Sequence, residues 1–404
     1  MNNRIIVEND RCIKKVFRDR IAFENERKIY ELPGATGSVP ALYSCGDLCL
    51  NIEKKNGKTL SAFLDETGIS SAKRSCPAGR DACCGSDEMI PRLAKALADW
   101  MIQFQAAFHA GTGDWMVSED LNPRGMLVTD EDLHICGIDF EYWHIGSKEE
   151  AFAALPAMLC SLDLADDREK RLAEMVCESY GDSVEKTLLD SCVEKRLQEI
   201  RLARSAMKRI RVSSCGILAG GKGSRMGHID KAGLMLGDYS FLEHILHTVQ
   251  CFDRILVSTA ETDLHPGSGP MGGLEALLTA CQTDTLLVIP CDTPLIRRSS
   301  IFRLYQELDE QCEAVICRCG GRVYPTFGIY RKGILPKVCA AVKEKDLRMM
   351  SLLDRISVRY AELDIGKELQ NVNTPEDLER LQRAYERSHG ACPHDLRNNL
   401  VKRV

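Results

Sequence analysis

No stretch of this 404-residue chain stays apolar long enough to span a bilayer, and no broad basic field offsets its net charge of -6. The first absence excludes a membrane-spanning helix. The second argues against a nucleic-acid partner, because counterion release from phosphates needs a positive face. The N-terminal stretch MNNRIIVENDRCIKKVF interrupts its apolar residues with charges every few positions and so offers no signal-peptide core. The expected compartment is the cytosol. Nor is there an internal repeat. The 19 cysteines lack the paired two-residue spacing of a zinc site, both in the Cys76, Cys83, Cys84 cluster and in the Cys317, Cys319 pair, and no histidine lies nearby at ligand spacing. Cys215, Cys251, Cys281, Cys291 and Cys339 sit inside apolar patterns and read as buried thiols.

What is present is an ordinary globular composition, 44% hydrophobic and 28% charged, in a chain longer than one hydrophobic core usually serves. Two domains are expected. Between Val184 and Ile210, residues Leu188, Leu189, Cys192, Val193, Leu197 and Ile200 recur at helical intervals, which reads as a helix closing one domain and leading to the next. After it the pattern changes. RVSSCGILAGG is a short strand running into a glycine-rich turn, and FLEHILHTVQCF is helical. Then come strand RILVSTA, helix GLEALLTACQ, strand TLLVIP, helix SSIFRLYQEL and strand EAVICR. Strands alternating with helix-length segments predict a mostly parallel sheet, whose ligands gather beyond the carboxyl ends of the strands.

Two of those strand ends carry chemistry. Leu218 to Lys231, LAGGKGSRMGHIDK, places Gly220, Gly221 and Gly223 where backbone N–H groups approach a phosphate or base edge, and adds Lys222, Arg225 and Lys231 as cations. A tight glycine turn with solvated charges is the simpler alternative, and the strand before with the helix after it weighs against that alternative. Gly216 to Lys222 also has the frame of a P-loop, but Gly223 stands where Ser or Thr should ligate magnesium. At the second end, PCDTPL puts Asp292 where a single carboxylate binds Mg²⁺ while substrate phosphates complete the shell; its plainer role is capping a turn. His228 and His109 read as a solvated turn residue and a helix-end residue.

LAGGKGSRMGHIDKAGLMLG, SGPMGGLEALL, VIPCDTPL, YPTFGIYR and NVNTPEDL follow one another, over Ser213 to Leu381, in the order found in molybdenum cofactor guanylyltransferases of the MobA family, which this half resembles. The resemblance implies transfer of GMP from GTP to the phosphate of molybdopterin with release of pyrophosphate. It further implies Mg²⁺ as cofactor, GTP and molybdopterin as small-molecule partners, and molybdenum insertion proteins or apo-molybdoenzymes as protein partners. It places Leu218, Ala219, Gly220 and Gly221 around guanine and ribose, Arg225 and Lys231 on the triphosphate, and Asp292 on the metal. Gly269, Pro270, Gly272 and Gly273 form a second loop near the nucleotide, with Asp263 as a looser match before it. Asn371 and Asn373 fall on the molybdopterin side, where Gln370 replaces an expected aromatic residue.

The first half resembles the protein-kinase-like fold of small-molecule phosphotransferases. RCIKKVF matches the strand bearing the phosphate-binding lysine, with Lys14 the better fit and Lys15 behind it. FENERKIYEL matches the helix whose glutamate pairs with that lysine, Glu26 or Glu24, and LNIEKKNGKTL matches the join between lobes. SEDLNPRGMLV and GIDFEYW match the catalytic and metal loops through Asp120 and Asp139. The departures are the lack of a glycine-rich loop, Ser118 in place of histidine and Gly125 in place of the metal-binding Asn. They favour a binding-only domain over an active kinase, and an ordinary α+β domain with exposed acidic turns is the plain alternative.

The expected organisation is therefore a kinase-like α+β domain over 1–205, a Rossmann-like three-layer α/β NTP transferase domain over 206–385, and a flexible tail over 386–404. Two other functions fit the same motifs. One is nucleotidyl transfer to a sugar phosphate or alcohol phosphate, coupled to the first domain. The other is a non-catalytic nucleotide or pterin carrier.

Overall fold

A computed structural model of the protein describes residues 4–7, 9–69, 84–129, 132–162, 164, 167–220, 222–223, 229–265, 267–372 and 374–389. The chain divides into two compact units, Met1–Arg201 and Leu202–Val404, with the division inside one helix, Lys186–Ile210. No described helix is long and apolar enough to cross a membrane.

Unit 1 begins with a four-stranded antiparallel sheet in the order Arg4–Val7, Cys12–Val16, Cys49–Glu53, Leu42–Gly46. Helix Arg20–Tyr30 is capped by Asp19, whose carboxylate accepts from the Ala22 N–H, and it buries Ile21, Ala22, Phe23, Glu26, Ile29 and Tyr30. The remainder is mostly helical, with short antiparallel pairings of Lys58–Thr59 with Met126–Thr129, Met126–Thr129 with His134–Gly137, and Trp115–Ser118 with Trp143–Gly146. One core, including Phe104, Phe108, Leu155 and Phe152, serves the whole unit.

Unit 2 is a six-stranded α/β sheet. Its main elements are β1 (Ser214–Leu218), α1 (Phe241–Thr248), β2 (Ile255–Ser258), α2 (Gly269–Ala280), β3 (Thr285–Pro290), α3 (Arg298–Gln306), β4 (Ala314–Cys319), β5 (Arg322–Arg331), β6 (Val358–Glu362) and α4 (Pro375–His389), with helices Leu335–Lys343 and Met349–Leu353 between β5 and β6. The order is β2-β1-β3-β5-β4-β6, with β1 parallel to β2 and β3, β4 parallel to β6, and β5 antiparallel to both neighbours. The alternation of strand and helix was legible up to β4; the antiparallel β5 went unread, although the Gly320–Gly321 pair before it is itself a hairpin signal. Central β3 is apolar on both faces, so its Leu287 and Ile289 enter one core and Leu286 and Val288 another. α1 starts with a capping box between Ser240 and Glu243.

Two expectations are corrected. α4 runs to His389, past the tail boundary expected at 385, because its helical period continues through ERSH; residues 390–404 lie outside those described. Of the thiols read as buried, Cys215, Cys281 and Cys291 are, while Cys251 and Cys339 are half-buried on helix-end and helix-surface positions. Cys76 and Cys83 lie outside the described residues.

Glycines fix how tightly the layers close. A Cβ on Gly328 of β5 would stand 2.5 Å from the Val315 carbonyl oxygen and 2.7 Å from Ile316, whereas one on Gly333 would meet nothing within 4 Å. Gly328→Ala is therefore expected to destabilise unit 2 by about 2–3 kcal/mol through overpacking against backbone. Gly333→Ala should stay within about 0.5 kcal/mol of the parent in the same denaturant titration.

Candidate active site

The C-terminal ends of β1, β2 and β3 converge through backbone bonds. The Ala219 N–H donates to the Ser258 carbonyl at 2.8 Å, and the Cys291 N–H donates to the Leu218 carbonyl at 3.1 Å. The turn after β1 is thus tied to both neighbouring strand ends. A Cβ on Gly220 would lie 3.1 Å from the backbone of Thr259 and Ala260, and one on Gly273 only 2.7 Å from Leu218 and 3.1 Å from Ser258 Oγ. Glycine at both positions lets α2 and the β2–α2 loop close against the first turn.

At the end of β3, Asp292 receives the Lys231 ammonium, Nζ to Oδ2 at 3.0 Å, with the side chains 13% and 19% exposed. The pair spans 61 residues of sequence and leaves Asp292 Oδ1 without a bond among the described residues. Thr293, fully buried, donates its hydroxyl to the Pro290 carbonyl and fixes the turn. The Asp292 carbonyl in turn accepts the Val372 N–H at 3.4 Å, which brings the segment containing Asn371 to the same strand end. Asn371 Oδ1 is buried with no hydrogen-bond partner. A carboxylate oxygen without a bond at a strand end is a hard donor of the kind that suits a divalent cation such as Mg²⁺, and the orphaned Asn371 oxygen belongs to the segment bonded to the same residue.

Of the residues expected around the nucleotide, Leu218, Ala219, Gly220, Lys231, Gly272 and Asp292 all lie at this edge. Gly272 sits in the first turn of α2, where a Cβ would meet Ser268 at 2.8 Å. Asp263 is in the β2–α2 loop and accepts the Ser258 hydroxyl at 3.1 Å, so it braces the loop. Gly221, Arg225 and Asn373 lie outside the described residues. The direct Lys231–Asp292 ion pair was not anticipated; sequence separation hides it, and only the strand order exposes it.

Unit 1 holds a second cluster. Lys15 Nζ lies 2.6 Å from Glu26 Oε2, 3.1 Å from Asp139 Oδ1 and 3.3 Å from Glu141 Oε1. Lys14 is displaced from the role expected of it by strand pleating: Lys15 shares the inward face with Phe17, while Lys14 takes the opposite face. Glu26 is the glutamate that pairs, and it also accepts the Tyr30 hydroxyl at 2.9 Å. Asp139 joins the cluster. Asp120 lies in the turn after strand Trp115–Ser118, where its carbonyl accepts from Asn122. Glu141 was missed, although it stands two residues after Asp139.

Burial opposes the charge on Lys15, yet the three carboxylates, Glu26 foremost, hold its pKa above the ordinary lysine value. Burial likewise pushes Glu26 up to about 7 against the pull of Lys15, and raises Glu141. Three acids facing one base leave an uncompensated negative charge. Glu26 titrates at its ordinary value near 4.5 when unfolded and about 7 when folded, so the proton it holds stabilises unit 1 below pH 4.5 and that contribution is lost as pH rises to 7.

Relatives identify the family. A family model for the MobA-like NTP transferase domain matches residues 215–360. The molybdenum cofactor guanylyltransferase of Vibrio parahaemolyticus is 30% identical over 177 residues, covering 40% of this chain and 91% of that protein. The probable molybdenum cofactor guanylyltransferase of Carboxydothermus hydrogenoformans is 30% identical over 188 residues, covering 42% and 94%. This chain belongs to the MobA-like NTP transferase family. A solved structure, molybdopterin-guanine dinucleotide biosynthesis protein A from Archaeoglobus fulgidus, aligns at 20% identity and a TM-score of 0.37, over 43% of this chain and 99% of that one. Membership makes the chain a nucleotidyltransferase. The MobA-like domain lies within unit 2.

For the cluster in unit 1, Lys15→Met should destabilise that unit by about 3–5 kcal/mol, because it strands buried carboxylates without a counter-charge. Between pH 5 and 7.5 the thermal midpoint of unit 1 should fall more in the parent than in Glu26→Gln, followed by calorimetry at each pH.

Proposed function

We propose that unit 2 transfers GMP from GTP to the terminal phosphate of molybdopterin, giving molybdopterin guanine dinucleotide and pyrophosphate. The observation that carries this reading is the Lys231–Asp292 pair at the end of β3, beside the glycine turn that follows β1. Support for guanine and for molybdopterin comes from the named relatives, which match unit 2 along nearly their whole length.

The acceptor phosphate oxygen forms a bond to the α-phosphorus, and the α–β bridging bond breaks with its electron pair leaving on pyrophosphate. Both partners are anions. Asp292 would hold a Mg²⁺ ion, which would supply charge neutralisation for the triphosphate and the departing pyrophosphate. The glycine turn presents backbone N–H groups without side-chain obstruction. Lys231 is held by Asp292 within reach of the same phosphates and balances the charge that builds on the leaving group. Because a phosphate nucleophile is already deprotonated near neutral pH, the chain needs no general base.

For unit 1, the Lys15–Glu26–Asp139 arrangement favours a kinase-like, phosphate-binding domain. Gly125 offers no metal ligand, and a Cβ there would already press on Asp139 at 3.1 Å. A binding role follows from that loss more readily than turnover does.

Pyrophosphate release from GTP and molybdopterin should fall by about 10²–10³ or more in Asp292→Ala, and comparably in Lys231→Ala. Retained turnover in Asp292→Ala would overturn the metal assignment. Faster turnover of CTP than of GTP would remove the guanylyl label while leaving nucleotidyl transfer intact.

A further inference from the structure

β5 is a ten-residue strand, yet β3 pairs only with its last four residues, Gly328 to Arg331. The rest of β5 rises past the sheet edge with β4 as its ladder partner. Ile316 of β4 is level with Gly328, and then the register jumps, so that Cys317 faces Tyr324. Residues 325–327 are looped out at the jump and pinned there. The buried Tyr330 hydroxyl donates to the Pro325 carbonyl at 2.6 Å, and Phe327 is fully buried. Beyond this bulge the hairpin continues through Arg318 opposite Val323 and Cys319 opposite Arg322. It closes on Gly320 and Gly321, whose φ angles of 56° and 77° are those of a tight two-residue turn.

The register measures how far the tip stands out. Val288 of β3, Gly328 and Ile316 are level, and Cys319 lies three residues beyond Ile316, a climb of about 10 Å. Asp292 lies four residues beyond Val288, at the same edge. The hairpin tip therefore stands beside the strand end that carries the Lys231–Asp292 pair.

Its side chains are sorted by face. Arg318 takes one face, where it pairs with Glu362 and lies 4.9 Å from the Tyr360 ring centre. Arg322 and Tyr324 share the other face with Cys317 and Cys319, and Tyr324 packs on the same core as Ile289 and Cys291 under the end of β3. The Arg322 guanidinium lies 5.1 Å from the Tyr324 ring centre and pairs with no carboxylate among the described residues. An exposed guanidinium held over a half-buried ring, with no acid paired to it among the described residues, is placed to take a phosphate bidentately.

We propose that Arg322 binds the phosphate of the acceptor, and that Tyr324 is the positioning residue that holds the guanidinium plane. The inference deepens the reading given under Proposed function and rests on it, because it needs a phosphate-bearing acceptor arriving at Asp292. The bulge at 325–327 then has a purpose: it turns the hairpin out of the sheet's pairing and brings Arg322 to the reacting edge.

The test uses the full chain with GTP, Mg²⁺ and molybdopterin, following pyrophosphate release. Arg322→Ala should raise the KM for molybdopterin about tenfold or more, with kcat within about twofold and the KM for GTP unchanged. Arg322→Lys should recover part of the loss, since it restores the charge without the planar fork. Tyr324→Phe should behave as the parent, and Tyr324→Ala should raise the same KM by a smaller factor. An unchanged molybdopterin KM in Arg322→Ala, with the parent active, would overturn this inference alone, as would an equal rise in both KM values. A parent chain with no turnover of GTP and molybdopterin would overturn the cofactor reading and this inference with it.

Discussion

The contact on which unit 2 depends chemically is the one between Lys231 and Asp292. An ammonium and a carboxylate at 3.0 Å, each mostly screened from water, hold one another at the strand end proposed to meet the triphosphate. Without Lys231, the carboxylate would face incoming phosphates as one more anion. The parallel β1 and β3 make the contact possible, because parallel pairing puts both of their carboxyl ends on one edge. Sequence that lies 61 residues apart then acts as one group.

The same physics takes a different form in unit 1. There Lys15 meets three carboxylates, and Glu26 is fully buried. In unit 2 a lysine meets one carboxylate at a partly exposed strand end; in unit 1 the acids outnumber the base, and the balance falls to protons. Burial sets that difference. Burial makes Glu26 trade part of its charge for a proton.

How much was legible follows from the range over which each signal acts. The β1 turn, β3 and its aspartate were readable because glycines, apolar runs and a strand-end acid are local patterns. Asp292 and Lys231 were both named from the sequence, but their pairing was not, since pairing is a property of strand order. Lys14 was preferred to Lys15 on motif spacing, and pleating reversed the choice: one position along a strand changes the face completely. Glu141 and the hairpin pair Arg322 and Tyr324 went unread for a related reason. Each looks like a solvated surface residue until the backbone bends it toward a neighbour.

That bend points to a division of labour in the sheet. β1, β2 and β3, all parallel, supply the turns expected to hold the nucleotide, and their geometry is constrained by glycines that tolerate no Cβ at Gly220 and Gly273. β5 runs the other way, so its N-terminal half reaches the same edge without a βα loop. An antiparallel strand can overshoot its sheet, because a hairpin partner satisfies its backbone bonds above the edge. A parallel strand at that place would have to turn into its crossover helix. The reversal of β5 is therefore what allows a rigid, ladder-supported element, in place of a loop, to stand over the end of β3.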